Sequence, residues 1–307
     1  MAALAWERSG ADWPQRAASR FVAVDGLSWH VQVYGSGPVA LLLHGTAASS
    51  HSWRDFGPAL AERCTVVAPD LPGHGFTGAS KDRLPRLHGI AHALARLLAE
   101  LELDDCALIV GHSVGAAIGA RMILDGRVAP RLLVGLNGAF EPFPGLAGQL
   151  FPSALRLLSL DPVLPYWIAL RAYEPGFIRR VIRHTGSQID ARGVALYRRL
   201  AGSPRHVAGA MALMAGSHDD LHLLMGDLSQ LRCPVVLFAA ENDGAVPPRQ
   251  AARVCRRLPY CRLQSLPGLG HLAHEEQPQA VAEQVWAAWL RVTAQPPSGG
   301  DDERKRR

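Results

Sequence analysis

Ser113 sits in GHSVG (Gly111 to Gly115), a G-x-S-x-G pattern between an apolar run and an apolar helical stretch. A serine hydroxyl is a weak nucleophile at neutral pH. It serves acyl transfer only beside a base, and the base works only if a carboxylate orients it. In the chain order serine, acid, histidine, the sequence offers Asp243 in AAENDGAVPP and His271 in GLGHLAHEE. Glu241 is the competing acid, because strand alternation puts it on the same face as Asp243. His274 is the competing base; Glu275 and Glu276 follow it at the approach to a helix, so it reads as a structural or capping residue. A tetrahedral intermediate also needs two backbone N–H donors. These are expected from Val114, at the helix start after the nucleophile, and from Thr46 in HGTAASS, with His44 holding the loop through hydrogen bonds. This chemistry requires no metal and no organic cofactor.

Such residues must be carried by strands that end at one edge. FVAVDGLSWHVQVYG (Phe21 to Gly35) predicts two strands joined by a hairpin at Asp25-Gly26. VALLLHG, TVVAPDL, ALIVGHS and LLVGLNGA are continuous apolar runs, as strands buried on both faces should be, and helical stretches separate them. After Ala139 the alternation stops, and it resumes with PVVLFAAEN (Pro234 to Asn242) and the short strand CRLQSLPG. The expected architecture is an α/β fold with helices on both faces of a mainly parallel sheet. Residues 1–19 form a polar leader, 20–140 and 232–295 the core, 141–231 a helical cap and 296–307 a disordered tail. Ser113, Asp243 and His271 all fall at carboxyl ends of strands, where sites in open sheets lie.

At 307 residues, 48% hydrophobic and 19% charged, the chain can bury a large core. The five cysteines show no CxxC pair and no zinc spacing; Cys64, Cys106 and Cys233 read as core residues rather than a disulfide framework. With no signal-like segment and no long apolar run, a cytoplasmic location is expected. The net charge of +5 is local, since residues 171–205 hold eight arginines against Glu174 and Asp190. This pattern reads first as a solvated helical surface, without nucleic-acid binding. The apolar stretches of the cap, such as LPYWIALRAY, read as cap packing, and membrane association is not expected.

HGTAAS, PDLPGHG, GHSVG, ENDGAVPP and GLGH together resemble the α/β-hydrolase superfamily over nearly all of residues 20–295. The resemblance implies eight strands with a helical cap inserted after the sixth. Gly135 to Phe143 and Leu266 to Pro278 are more specific, and look like the magnesium-chelatase accessory family (BchO type) of bacteriochlorophyll-producing bacteria. That implies a role near magnesium insertion into protoporphyrin, with magnesium chelatase as a partner. The arginine-rich cap, through Arg179, Arg180 and Arg183, would then pair with the propionates of a tetrapyrrole. The expected function is a serine hydrolase acting on an ester or acyl substrate. The alternatives are a non-catalytic tetrapyrrole-binding or chelatase-contacting protein, and a generic carboxylesterase. Epoxide hydrolase and haloalkane dehalogenase relatives would need aspartate where Ser113 stands. Val114 departs from the smaller residue expected after the nucleophile, but leaves the amide intact.

Overall fold

In a computed structural model, residues 4–79, 82, 84–142, 157–158 and 161–294 are described. The expected tail and part of the expected cap lie outside them. Eight strands form one sheet: β1 (Ser19–Val24), β2 (Leu27–Gly35), β3 (Val39–Leu43), β4 (Thr65–Pro69), β5 (Cys106–His112), β6 (Leu132–Leu136), β7 (Val235–Ala240) and β8 (Cys261–Leu266). Their spatial order is β1-β2-β4-β3-β5-β6-β7-β8, and β2 alone runs against the rest. Asp25 and Gly26 both take positive φ (51° and 79°), which matches the twist of the β1–β2 hairpin.

Every residue of β6 and β7 is buried, whereas the edge strands β1 and β8 bury mainly their last residue. Alternation along the central strands feeds two cores. Leu41, Leu43 and Ile109 face α3 (Leu87–Glu100) and α4 (Val114–Leu124), after α1 (Trp6–Ser9) and α2 (Phe56–Ala61) in chain order. Leu42, Leu108 and Val110 face the side that packs α2 and the C-terminal helix.

Between β6 and β7 the described chain is helical: α5 (Leu164–Arg171), α6 (Phe177–His184), α7 (Ala191–Ala201) and α8 (Pro204–Asp227). The last three helices are α9 (Arg249–Cys255), α10 (Ala273–Glu276) and α11 (Pro278–Thr293). The N-terminal segment docks on the insertion, with Trp13 buried beside Phe76, Leu196 and Leu200.

One cysteine expectation is corrected. Cys64 and Cys106 are buried and free, but Cys255 and Cys261 are joined, with an S–S distance of 2.09 Å. They flank the tight turn between α9 and edge strand β8, and six positions of separation escape a search for CxxC pairs.

Candidate active site

Ser113 stands between β5 and α4 with φ 53° and ψ −125°, a conformation that side-chain-bearing residues rarely hold. The flanking glycines make the turn possible. A Cβ on Gly111 would lie 2.3 Å from the Ala116 amide nitrogen, and one on Gly115 would lie 2.1 Å from the Leu43 carbonyl oxygen. Hydrogen bonds fix the backbone: the Ser113 amide donates to the Leu136 carbonyl, and its own carbonyl accepts from Ala116 and Ala139. The loop after β3 presses on this turn, because a Cβ on Gly45 would come within 3.0 Å of the Ser113 Cβ.

Asp243 follows β7 and His271 follows β8, and these neighbouring strand ends bring them together. His271 Nδ1 lies 2.8 Å from Asp243 Oδ2. The other carboxylate oxygen of Asp243 accepts the Ala245 and Val246 amides, so both oxygens are occupied and the group is held as an acceptor. With Nδ1–H given to Asp243, His271 Nε2 is the nitrogen left to act as a base. Glu241, the competing acid, is exposed and accepts from the Ser265 hydroxyl instead. His274, the competing base, is buried with Nε2 2.8 Å from the Ser52 hydroxyl, in keeping with a structural reading.

Several residues that sequence reasoning missed hold this pair. The His112 side chain donates through Nε2 to the His271 carbonyl. It thus ties the neighbour of Ser113 directly to the base. Asn137, with φ 48° at the end of β6, donates to the Gly270 and His271 carbonyls and accepts the Ala240 amide. The segment after α6 reaches both loops: the Thr185 carbonyl accepts from the Gly244 and His271 amides, and the Ser187 hydroxyl accepts from Leu272. An Asn-Gly pair at a strand end could have flagged Asn137. Nothing local in HTGS flags Thr185 and Ser187, whose partners lie 59 to 86 positions away.

Gly186 lies in this contact with φ 80°, and a Cβ there would fall 1.7 Å from the Asn242 carbonyl oxygen. Gly186→Ala is therefore expected to cost about 3 kcal/mol or more, through strain and a backbone clash with no flexible atom to yield. Thermal unfolding should show it as a fall of roughly 5 to 10 °C.

The loop carrying Thr46 is fixed from both sides. His44 donates through Nδ1 to the Gly45 carbonyl and accepts the Leu71 amide on Nε2, which defines its tautomer and confirms it as a loop holder. Ala47 has φ 61°, and its carbonyl accepts from Nε2 of His206 on α8, whose Nδ1 accepts the Gly75 amide. Among the described residues, neither the Thr46 nor the Val114 amide donates to another group. A second buried network lies behind the loop. Glu275 accepts from Arg54, from the Ser52 hydroxyl at 2.7 Å and from the Tyr197 hydroxyl at 2.7 Å, joining the loop after β3, α7 and α10.

Arg179, Arg180 and Arg183 are exposed on α6. Arg179 lines, with Glu174 and Arg198, a surface cleft of about 410 Å³ that contains none of Ser113, Asp243 and His271. The hydrogen bonds that reach the acid and base loops come from Thr185 and Ser187, beyond the end of α6, rather than from these arginines.

Residues 40–284 match the profile of the family described as "Alpha/beta hydrolase family". Over 267 residues the chain is 39% identical to the magnesium-chelatase 30 kDa subunit of Rhodobacter capsulatus, an alignment spanning 86% of this chain and 92% of that one. It is 28% identical to the pimeloyl-acyl-carrier-protein methyl ester esterase of Nitrosomonas europaea, over 80% of this chain and 92% of that one. Its fold matches that of a thermophilic esterase from Thermogutta terrifontis with a TM-score of 0.71 at 22% identity, covering 89% of this chain and 98% of that one.

Proposed function

Since this chain belongs to the alpha/beta hydrolase family and is a relative of the magnesium-chelatase 30 kDa subunit, we propose that it is a serine hydrolase acting in tetrapyrrole metabolism, with Ser113, His271 and Asp243 as its triad. The observations that support the reading are the 2.8 Å contact between His271 and Asp243 and the strained backbone of a serine at a strand-to-helix turn. Ser113 Oγ attacks the acyl carbon of an ester while His271 Nε2 takes its proton. The carbonyl oxygen becomes an oxyanion against the Thr46 and Val114 amides. Collapse expels the alcohol, which receives the proton from His271. A water molecule then repeats the sequence on the acyl-serine and releases the acid. Asp243 stays ionised throughout and stabilises the imidazolium.

A second reading has one specific support: the 39% identical relative is named as a subunit of magnesium chelatase, a name that points to assembly rather than to a reaction of its own. In that reading the fold holds a tetrapyrrole or meets the chelatase without turnover. A fluorophosphonate probe separates the two. Folded protein should be labelled at Ser113, located by peptide mass spectrometry, and denatured protein should not. Absence of labelling in the folded protein would remove the enzyme reading and leave the binding one.

A further inference from the structure

The apolar stretch of α5 divides into two faces. Pro165 and Ala169 are buried, and Ala169 packs with Val207 and Met211 of α8, as cap packing requires. Another flank of the helix and its flanking residues stays largely exposed. Val163, Tyr166, Trp167, Leu170 and Tyr173 recur every three or four positions, each more than half exposed, with Trp167 at 63% and Tyr173 at 62%. The helix, about 12 Å long, and the residues flanking it therefore present apolar and aromatic side chains to the outside. A helix that is apolar on both faces ordinarily belongs inside a protein or against an apolar phase.

Basic side chains outnumber acidic ones on the helix that follows. α6 follows after a five-residue turn, and its exposed face carries Arg179, Arg180 and Arg183 beside a half-exposed Val181. The two helices are in contact, with the Arg171 guanidinium 5.4 Å from the centre of the Phe177 ring. Of the nearby acids, Glu174 is engaged by Arg171, and Asp161, just ahead of the helix, accepts from the Val163 and Leu164 amides. Tyrosine and tryptophan combine an apolar body with a polar tip, and arginine pairs with phosphate in a planar fork. That combination suits a boundary between hydrocarbon and anionic headgroups. Among the described residues no helix is long and apolar enough to cross a membrane.

We propose that the α5–α6 face docks on the surface of an anionic lipid bilayer, with Trp167 and Leu170 entering the interface and the α6 arginines meeting lipid phosphates. An acidic protein surface would match the arginines of α6, but not the exposed aromatic and aliphatic side chains of α5. The inference is independent of the triad, and it assigns the three arginines to lipid phosphate rather than to substrate carboxylates.

The test is co-sedimentation of the full chain with vesicles of phosphatidylglycerol and phosphatidylcholine, compared with phosphatidylcholine alone. The protein should pellet with the anionic vesicles and be released by high salt. The pair Trp167→Ser and Leu170→Ser should weaken binding more than about tenfold, as should the triple reversal Arg179→Glu, Arg180→Glu and Arg183→Glu, with unfolding temperatures like the parent's. Ser113→Ala should bind like the parent, which separates failure here from failure of the hydrolase reading. The proposal is overturned if the parent stays in the supernatant with anionic vesicles, or if both sets of variants bind unchanged. It is equally overturned if sedimentation velocity shows a dimer that these substitutions dissociate while vesicles recruit nothing.

Discussion

Ser113→Ala should lower hydrolysis of a simple p-nitrophenyl ester by a factor of about 10⁴ or more, with KM little changed. The nucleophile is removed while every backbone hydrogen bond of its turn remains, so folding should survive; alanine must still hold φ near 53°, as serine does now. Asp243→Asn is the sharper companion. Asp243 accepts two amides on one oxygen and faces Nδ1 of His271 with the other. If an asparagine keeps its oxygen on the two amides, its NH₂ faces Nδ1. The imidazole must then accept there and carry its proton on Nε2, the wrong nitrogen for a base. A loss of about 10³- to 10⁴-fold in kcat is expected, with KM nearly constant. A Ser113→Ala protein that hydrolyses the ester as fast as its parent would end the triad assignment.

The second large effect concerns acid. His44, His51, His74, His112, His206 and His274 are all buried, and burial pushes the pKa of each below the ordinary imidazole value. For His206 it falls to about 4 and for His274 to about 3. Once unfolded, each would take up a proton near pH 6.5, so the unfolded state binds more protons and stability falls as the pH drops below that point. His206 and His274 alone remove roughly 4 kcal/mol between pH 7 and pH 5, a large share of the stability of an ordinary domain. The other four act in the same direction. Burial also acts on Asp70, but the His30 ring beside it wins and holds the carboxyl below its usual range, which adds a further loss below about pH 4. Glu275 opposes the trend, because burial raises its pKa and protonation relieves that cost. Chemical denaturation across pH 5 to 8 should therefore show stability rising with pH, and a flat profile would contradict this account.

How far the site could be read beforehand depended on the range of each interaction. The strands were legible because a fully buried strand must be an unbroken apolar run, and β3, β5, β6 and β7 are such runs. The turn at Ser113 was legible because its glycines answer a steric demand that can be read locally. The pairing of Asp243 with His271 followed from strand order. The supports of that pair did not. Asn137, Thr185 and Ser187 act on partners far along the chain, and hydroxyl, amide and carbonyl groups leave no periodic trace. The cap was half-legible: apolar spacing marked α5 as a helix with something to bury, but could not show that Tyr166, Trp167 and Leu170 would stay more than half exposed.

The Thr185 carbonyl, shared by the Gly244 and His271 amides, bears on how this protein could be altered by recombination. A hinged lid can be exchanged between homologues as a module, because its base touches little. Here a carbonyl in the middle of the insertion, between α6 and α7, accepts from both of the loops that carry Asp243 and His271. A chimera that imports another cap must bring an acceptor to the same point. One spliced ahead of His184 and rejoined after Ser187 would lose this link between the loops of the proposed acid and base.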